Sequence, residues 1–266
     1  MTKQPCLWDS GERVPTESHN TLYLELLSAY ETARKLLLNG IVLDIGCSAG
    51  YGANHLAGEG QLVLGIDDEL AVVQSAAHHH QRRGLAFVCM DGMHLGVRSA
   101  SVDLACAFQV LEHVSDSDRF LAELARILRP SGLAILSTPN ALTHKGPRNP
   151  FHVHEFMPEE LKRLLGRHFT FVSLAGQRRP AEVYLLEQAC QQIRRWDVLG
   201  LKRLLPRKLI SLVVYAIARF NRLTPPQRLS LHSFPLSSET DKAYSLFALC
   251  GHAPLPQPGF QTVCDS

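Results

Sequence analysis

Val42-Leu43-Asp44-Ile45-Gly46-Cys47-Ser48-Ala49-Gly50-Tyr51-Gly52 is the stretch whose reading decides the fold of this chain. An apolar run ends in an acid, glycines follow at once, and a helical segment, Ala53 to Ala57, comes after. That order reads as a buried strand, a tight turn and a helix N-terminus. Open α/β sheets build a nucleotide pocket in this way, at the carboxyl end of the first strand. Glycines let the backbone approach a ligand closely, and the helix start offers amides that have no partner within the helix. The spacing excludes one ligand class. A dinucleotide turn reads G-x-G-x-x-G, whereas here Ser48 takes the second glycine position and Tyr51 the third. An acid two residues ahead of Gly46 instead suits a ligand with an amino-acid end, because a carboxylate at a strand tip binds an ammonium.

Further apolar runs repeat the pattern outward from this stretch. Leu62–Ile66 ends in Asp67, about twenty residues beyond the turn, where ribose hydroxyls are read. Leu85–Cys89 leads to Met90 and Asp91, an acid for an adenine amino group beside a side chain that packs on the ring. Val102–Ala107, Leu133–Ser137, Phe169–Leu174 and Tyr244–Cys250 complete a set of seven predicted strands. The first strands are short continuous apolar runs, as parallel strands covered on both faces require. Helical patterns lie between them. The clearest spans Asp118–Leu128, with Ser115, Asp116 or Ser117 as its cap and Pro130 and Gly132 beyond its end. Another is Glu159–Leu165. After residue 180 the alternation breaks, and helical periodicity covers 182–196 and 207–222. The reading is an α/β, doubly wound, mostly parallel seven-stranded sheet with a helical insertion between the last two strands. Its parts are an N-terminal helical cap segment (1–40), a core (41–180), the helical insertion or cap (181–240), and the last strand and tail (241–266).

The 266 residues carry a net charge of +2, which gives no overall reason to expect nucleic acid. Seven cysteines without a C-x-x-C pair point to a reducing compartment. Cys47, Cys89, Cys106 and Cys250 sit in or beside apolar runs and are expected to be buried. Residues 1–15 lack the apolar core of a signal peptide, and Leu212–Ala218 is far short of the roughly 20 residues that span a bilayer. A cytoplasmic protein is the expectation, with peripheral contact at the inner face of the membrane open to it.

With these residues in place, the stretch from about 20 to 175 resembles the class I S-adenosylmethionine-dependent methyltransferases, in their small-substrate branch. Asp44, Gly46 and Gly50 match that family's first motif, Asp67 its ribose acid and Asp91 its adenine acid. Phe108-Gln109-Val110-Leu111-Glu112-His113-Val114 is similar to its segment after the fourth strand, and Leu124–Asn140 to its "RxLRPGG…TPN" segment. The resemblance implies a Rossmann-like fold and S-adenosylmethionine as the cofactor. It places Asp44, Gly46, Cys47, Gly50, Asp67, Met90, Asp91, Gln109 and Tyr30 around that cofactor, Tyr30 as a covering aromatic. Ser48 is a departure, since the family usually has glycine there; serine fits if its φ is negative.

Methyl transfer to oxygen needs an aligned acceptor and a base for its proton, and the base contributes about 10²–10⁴-fold. Glu112 and His113 follow the fourth strand. His152 lies in Asn149-Pro150-Phe151-His152-Val153-His154-Glu155 after the fifth, a segment similar to methyltransferases of bacterial glycan and sugar modification. His113, His152 and Glu112 are therefore the expected catalytic residues. Their types could also hold a divalent ion. Some relatives use E-x-x-E-H for that purpose, but Gln109 stands at the first acid, so no metal is expected. His78-His79-His80 reads as a solvated helix end. In 191–222, Arg194, Arg195, Lys202, Arg203, Arg207, Lys208, Arg219 and Arg222 face one acid, Asp197. Such basic amphipathic helices rest on anionic lipid, hold a phosphate-bearing substrate, or merely cap the sheet. The expected reaction is O-methylation of a sugar, glycan or lipid-linked saccharide. A quinone or other small aromatic is the alternative acceptor, and an inactive cofactor-binding partner protein the alternative outside enzymes.

Overall fold

A computed structural model describes residues 21–36, 39–58, 60–144, 149–180, 183 and 229–253. Five parallel strands form one side of a single sheet: β1 (Gly40–Ile45), β2 (Gln61–Asp67), β3 (Leu85–Cys89), β4 (Val102–Phe108) and β5 (Leu128–Pro139). β6 (Phe171–Gln177), β7 (Leu236–Ser237) and β8 (Ser245–Gly251) complete it in the order β3-β2-β1-β4-β5-β8-β6-β7. β8 runs antiparallel to both β5 and β6, and β7 antiparallel to β6. The mostly parallel α/β sheet agrees with the sequence, but it has eight strands instead of seven. The added one, β7, is two residues long and pairs only with the edge of β6. The chain order reverses between β1 and β4, so the crevice at their carboxyl ends is the topological switch point where such sheets bind ligands.

Alternation along each strand divides the core into two layers. Leu43 and Ile45 of β1, Ala105 and Ala107 of β4, and Leu246 and Ala248 of β8 face one layer, against α4 (Ser117–Ile127) and α5 (Pro158–Leu165). Val42, Leu104, Cys106, Phe108, Phe247 and Leu249 face the other, against α1 (Thr21–Leu36) and α2 (Tyr51–Leu56). α3 (Leu70–His79) buries Val72, Val73 and Ala76. In α4, Phe120, Leu121, Leu124 and Ile127 are all buried, each contributing about 1.5–3 kcal/mol. The Asp116 side chain caps its first turn by accepting from the Arg119 amide. The helix ends at Ile127, and β5 starts at once at Leu128. A register shift between Val102 and Leu104 absorbs the Pro130 region.

β3 departs from the expectation of a strand covered on both faces. It is the sheet edge, Val88 is exposed, and Cys89 is an exposed free thiol, whereas Cys47, Cys106 and Cys250 are buried as expected. The helical patterns at 182–196 and 207–222, and with them the basic segment 191–222, lie outside the described residues except for Val183. Among the described residues, no helix is long and apolar enough to cross a membrane.

Candidate active site

The glycine turn sits at the switch point. Gly46 and Gly50 have φ of 71° and 77°, so the turn uses the left-handed conformation that glycine adopts without steric cost. A side chain at Gly46 would run into Val110, so the turn after β1 and the segment after β4 lie in contact. Ser48 has φ of 46°, so the negative value at which serine would fit without cost is not adopted. An L-residue pays about 1–2 kcal/mol for that conformation. The turn is held from three sides. The Cys47 amide donates to Ile66 O (2.9 Å), the Ser48 amide to Asp67 Oδ2 (3.0 Å), and His80 Nε2 lies 3.0 Å from Ala49 O.

The three strand-end acids have different environments. Asp44 is fully buried. Tyr30, on α1, donates its hydroxyl to Asp44 Oδ1 at 3.0 Å and Oδ2 at 3.3 Å. Burial pushes the Asp44 carboxyl up to about 7, against the pull of the Tyr30 hydroxyl and the Ala53 amide. Tyr30 is itself buried, packed edge-on to Phe108 and filling the space above Gly52, where a Cβ would clash with its ring. It therefore acts from beneath the turn, as the partner of Asp44. Asp67 is half-buried at the end of β2 and also accepts from the Glu69 amide through Oδ1. Asp91 is exposed. It accepts from the Met93 amide (2.8 Å) and lies 2.7 Å from His94 Nδ1, and these contacts hold its carboxyl below the usual range. Met90 lies beside it, its sulfur accepting from the Gly96 amide.

Beyond β4 the backbone enters a second strained residue, Gln109, with φ of 56°. Its amide donates to Ser137 O, and its side-chain Nε2 to Ser137 Oγ at 3.1 Å, which ties the ends of β4 and β5 together. Left-handed residues outside glycine concentrate at functional sites. A 3₁₀ turn, Leu111–His113, follows and presents Glu112 inward and His113 toward the surface. Glu112 is 1% exposed. Thr138 donates to its Oε2 at 3.0 Å, while Oε1 has no hydrogen-bond partner among the described residues. Burial pushes the Glu112 carboxyl up to about 8, with Glu155 adding to the effect. The Glu112 carbonyl accepts from the amides of Val153 and His154, which anchors the loop after β5 against this turn.

That anchoring brings His152 to Glu112 and His113. The ligand atoms of the three residues all lie within 4.8 Å of one another, and the two rings meet edge-on at 4.9 Å. His113 Nδ1 is 3.1 Å from Phe151 O, and His152 Nδ1 is 2.8 Å from Glu155 Oε1. Glu155 also pairs with His144 through Oε2 at 3.0 Å. Burial raises the Glu155 carboxyl, but the two histidines outweigh it and hold the group below the usual range. His154 points away and pairs with Glu160. Sequence reasoning missed Thr138, Glu155 and His80. Only Glu155 carried a signal, standing three residues after His152 in the segment already singled out.

Residues 43–136 match the family described as "Methyltransferase domain". A probable S-adenosylmethionine-dependent methyltransferase of Mycobacterium tuberculosis is 42% identical over 142 residues, covering 51% of this chain and 50% of that protein. A ubiquinone biosynthesis O-methyltransferase of Coxiella burnetii is 31% identical over 101 residues, covering 37% and 43%. The chain thus spans about half the length of the curated relatives it matches. Among solved structures, a methyltransferase of Thermotoga maritima superposes with a TM-score of 0.59 at 18% identity, covering 88% of this chain and 91% of that one. Over residues 43–136 the sequence therefore matches a methyltransferase domain, carried on a Rossmann-like fold shared with solved methyltransferases.

Proposed function

We propose that this protein is an S-adenosylmethionine-dependent methyltransferase that O-methylates a hydroxyl of a sugar, glycan or lipid-linked saccharide. The observation that carries the reading is the juxtaposition at the switch point. A glycine turn and strand-end acids stand on one side, and the cluster of Glu112, His113 and His152 stands beyond β4 on the same rim. The donor set fits the cofactor. Asp67, at the end of β2 about twenty residues beyond the glycine turn, suits the ribose hydroxyls. Asp91 and Met90 suit the adenine, and the amides of the turn suit the amino-acid end, with Asp44 buried beneath them. Bound there, S-adenosylmethionine supplies an electrophilic methyl group. With it held by these residues, in-line transfer of that methyl to the acceptor oxygen would leave the electron pair of the carbon–sulfur bond on sulfur.

The chain's own task is to align the acceptor, worth about 7–11 kcal/mol, and to handle the hydroxyl proton. Glu155 and the Phe151 carbonyl hold N–H on Nδ1 of the two histidines, which puts the lone pair of each ring on Nε2. In that tautomer His113 or His152 takes the acceptor's proton. The polar side chains gathered at Glu112, His113 and His152 favour a saccharide. The similarity to a ubiquinone biosynthesis O-methyltransferase favours the second reading, a quinone or other small aromatic. The basic segment 191–222 would then serve as a lipid contact or as a cap. A screen with a labelled methyl donor against cell-envelope saccharide precursors and hydroxylated quinones tests the reading. Label in the saccharides supports it, and label confined to the quinones transfers it to the second reading.

A further inference from the structure

We infer that Glu112, His113 and His152 form a binding site for one divalent metal ion of the class that imidazole prefers, such as zinc. Three observations point to it. The ligand atoms gather within 4.8 Å of one another, in the one such group found among the described residues. The buried Glu112 side chain has an oxygen, Oε1, without a hydrogen-bond partner among the described residues, where buried polar atoms are ordinarily satisfied. Lastly, each ligand has an outer partner of the kind that metal sites use. Glu155 is on His152 Nδ1, the Phe151 carbonyl on His113 Nδ1, and Thr138 on Glu112 Oε2. These partners fix the tautomer in which Nε2 carries the lone pair, the form that binds a metal.

Two imidazoles and one carboxylate make a three-ligand set that leaves coordination positions for an exogenous oxygen. Nitrogen and oxygen ligands stand about 2.0–2.2 Å from zinc, so modest side-chain rotation closes the group around an ion. The sequence spacing argued against a metal because Gln109 replaces the first acid of E-x-x-E-H. The fold makes up the number differently, with His152 delivered from the loop after β5. The role of the ion in turnover rests on the methyltransferase reading. An acceptor hydroxyl bound to it would lose its proton to solvent more readily, as metal-bound water does, and in the loaded site this would replace the histidine base, because the ion would occupy both Nε2 lone pairs. The site itself does not depend on that reading.

The test uses the full chain, stripped with a chelator and then dialysed against cobalt(II) or zinc. Metal content and the visible absorption of bound cobalt are read. The expected result is one ion per chain in the wild type and in His154→Ala, whose ring lies outside the cluster. Glu112→Gln and His152→Ala should each lose at least nine-tenths of the bound metal. A melting curve by circular dichroism establishes that each variant is folded, and Glu112→Asp replaces any variant that is not. Wild-type protein without stoichiometric metal, or folded variants that retain it, would overturn the site. Binding of S-adenosylhomocysteine, measured separately on the same samples, shows whether the methyltransferase reading fails independently.

Discussion

Replacing Tyr30 with phenylalanine removes one hydroxyl from beneath the glycine turn and leaves the ring packing in place. That ring keeps its edge-on contact with Phe108 and its place above Gly52, so the effect reports the hydrogen bond to Asp44. The magnitude depends on pH because burial raises the folded Asp44 pKa to about 7, above the unfolded value of about 3.9. The native state therefore holds this proton longer than the unfolded state. Wild-type stability falls as pH rises between those values, by about 4 kcal/mol from this group. At pH 5 the folded carboxyl is protonated, and a neutral hydrogen bond contributes about 0.5–1.5 kcal/mol. Above pH 7 the acceptor is ionised, and the same bond contributes about 1.5–3 kcal/mol. At about 2–4 °C per kcal/mol for a chain of this size, Tyr30→Phe should lower the melting temperature by about 1–6 °C at pH 5 and about 3–12 °C at pH 8. Circular dichroism melts of both proteins at the two pH values make the comparison. An equal or larger drop at pH 5 would mean that Asp44 is ionised there already, and the burial argument would be wrong.

Three further outcomes follow from the geometry. Ser48→Gly relieves a left-handed φ and should stabilise the fold by about 0.5–1 kcal/mol, seen as a higher melting temperature; a loss of stability would contradict the strain at this turn. Glu25→Ala removes the carboxylate that pairs through Oε2 at 2.6 Å with the buried Arg179 guanidinium, which lies over the Tyr244 ring. It should cost about 3–5 kcal/mol in chemical denaturation, and a cost under about 1 kcal/mol would show the pair to be solvated. His113→Ala and His152→Ala should each reduce methyl transfer by about 10²–10⁴-fold while S-adenosylhomocysteine affinity barely changes; full turnover in both would remove the cluster from the chemistry.

The fold was legible where periodicity and punctuation agree. β1, β2 and β4 are short apolar runs closed by acids or glycines, and α4 announces itself by Phe120, Leu124 and Ile127 behind the Asp116 cap. β7 was not legible because two residues carry no pattern, and its strand state comes from pairing with Gly176 and Gln177. Cys89 reads as buried in sequence because an edge strand has the same composition as a central one; only the sheet order exposes it. In the site, the turn and its acids follow from local spacing, and so does the Glu112–His113 pair. The meeting with His152 does not. It depends on the Glu112 carbonyl catching the amides of Val153 and His154, a contact between loops that no local pattern encodes. Tyr30 was read as a cofactor-covering aromatic, yet the helix that carries it places its hydroxyl on Asp44. From sequence, serine fits at position 48 on condition of a negative φ. The turn dictates otherwise, because the Ser48 amide must reach Asp67.

The central claim is that the crevice at the ends of β1 and β2 binds the methyl donor through Asp67. Calorimetry of S-adenosylhomocysteine with wild-type protein and with Asp67→Asn tests it most directly, since asparagine keeps an acceptor for the Ser48 amide and removes the charge. The account predicts a single site in the wild type and, from the loss of hydrogen bonds to a charged group worth about 1.5–3 kcal/mol, an affinity weaker by about ten- to a hundredfold in the variant. No binding to the wild type, or equal affinity in the two proteins, would contradict it.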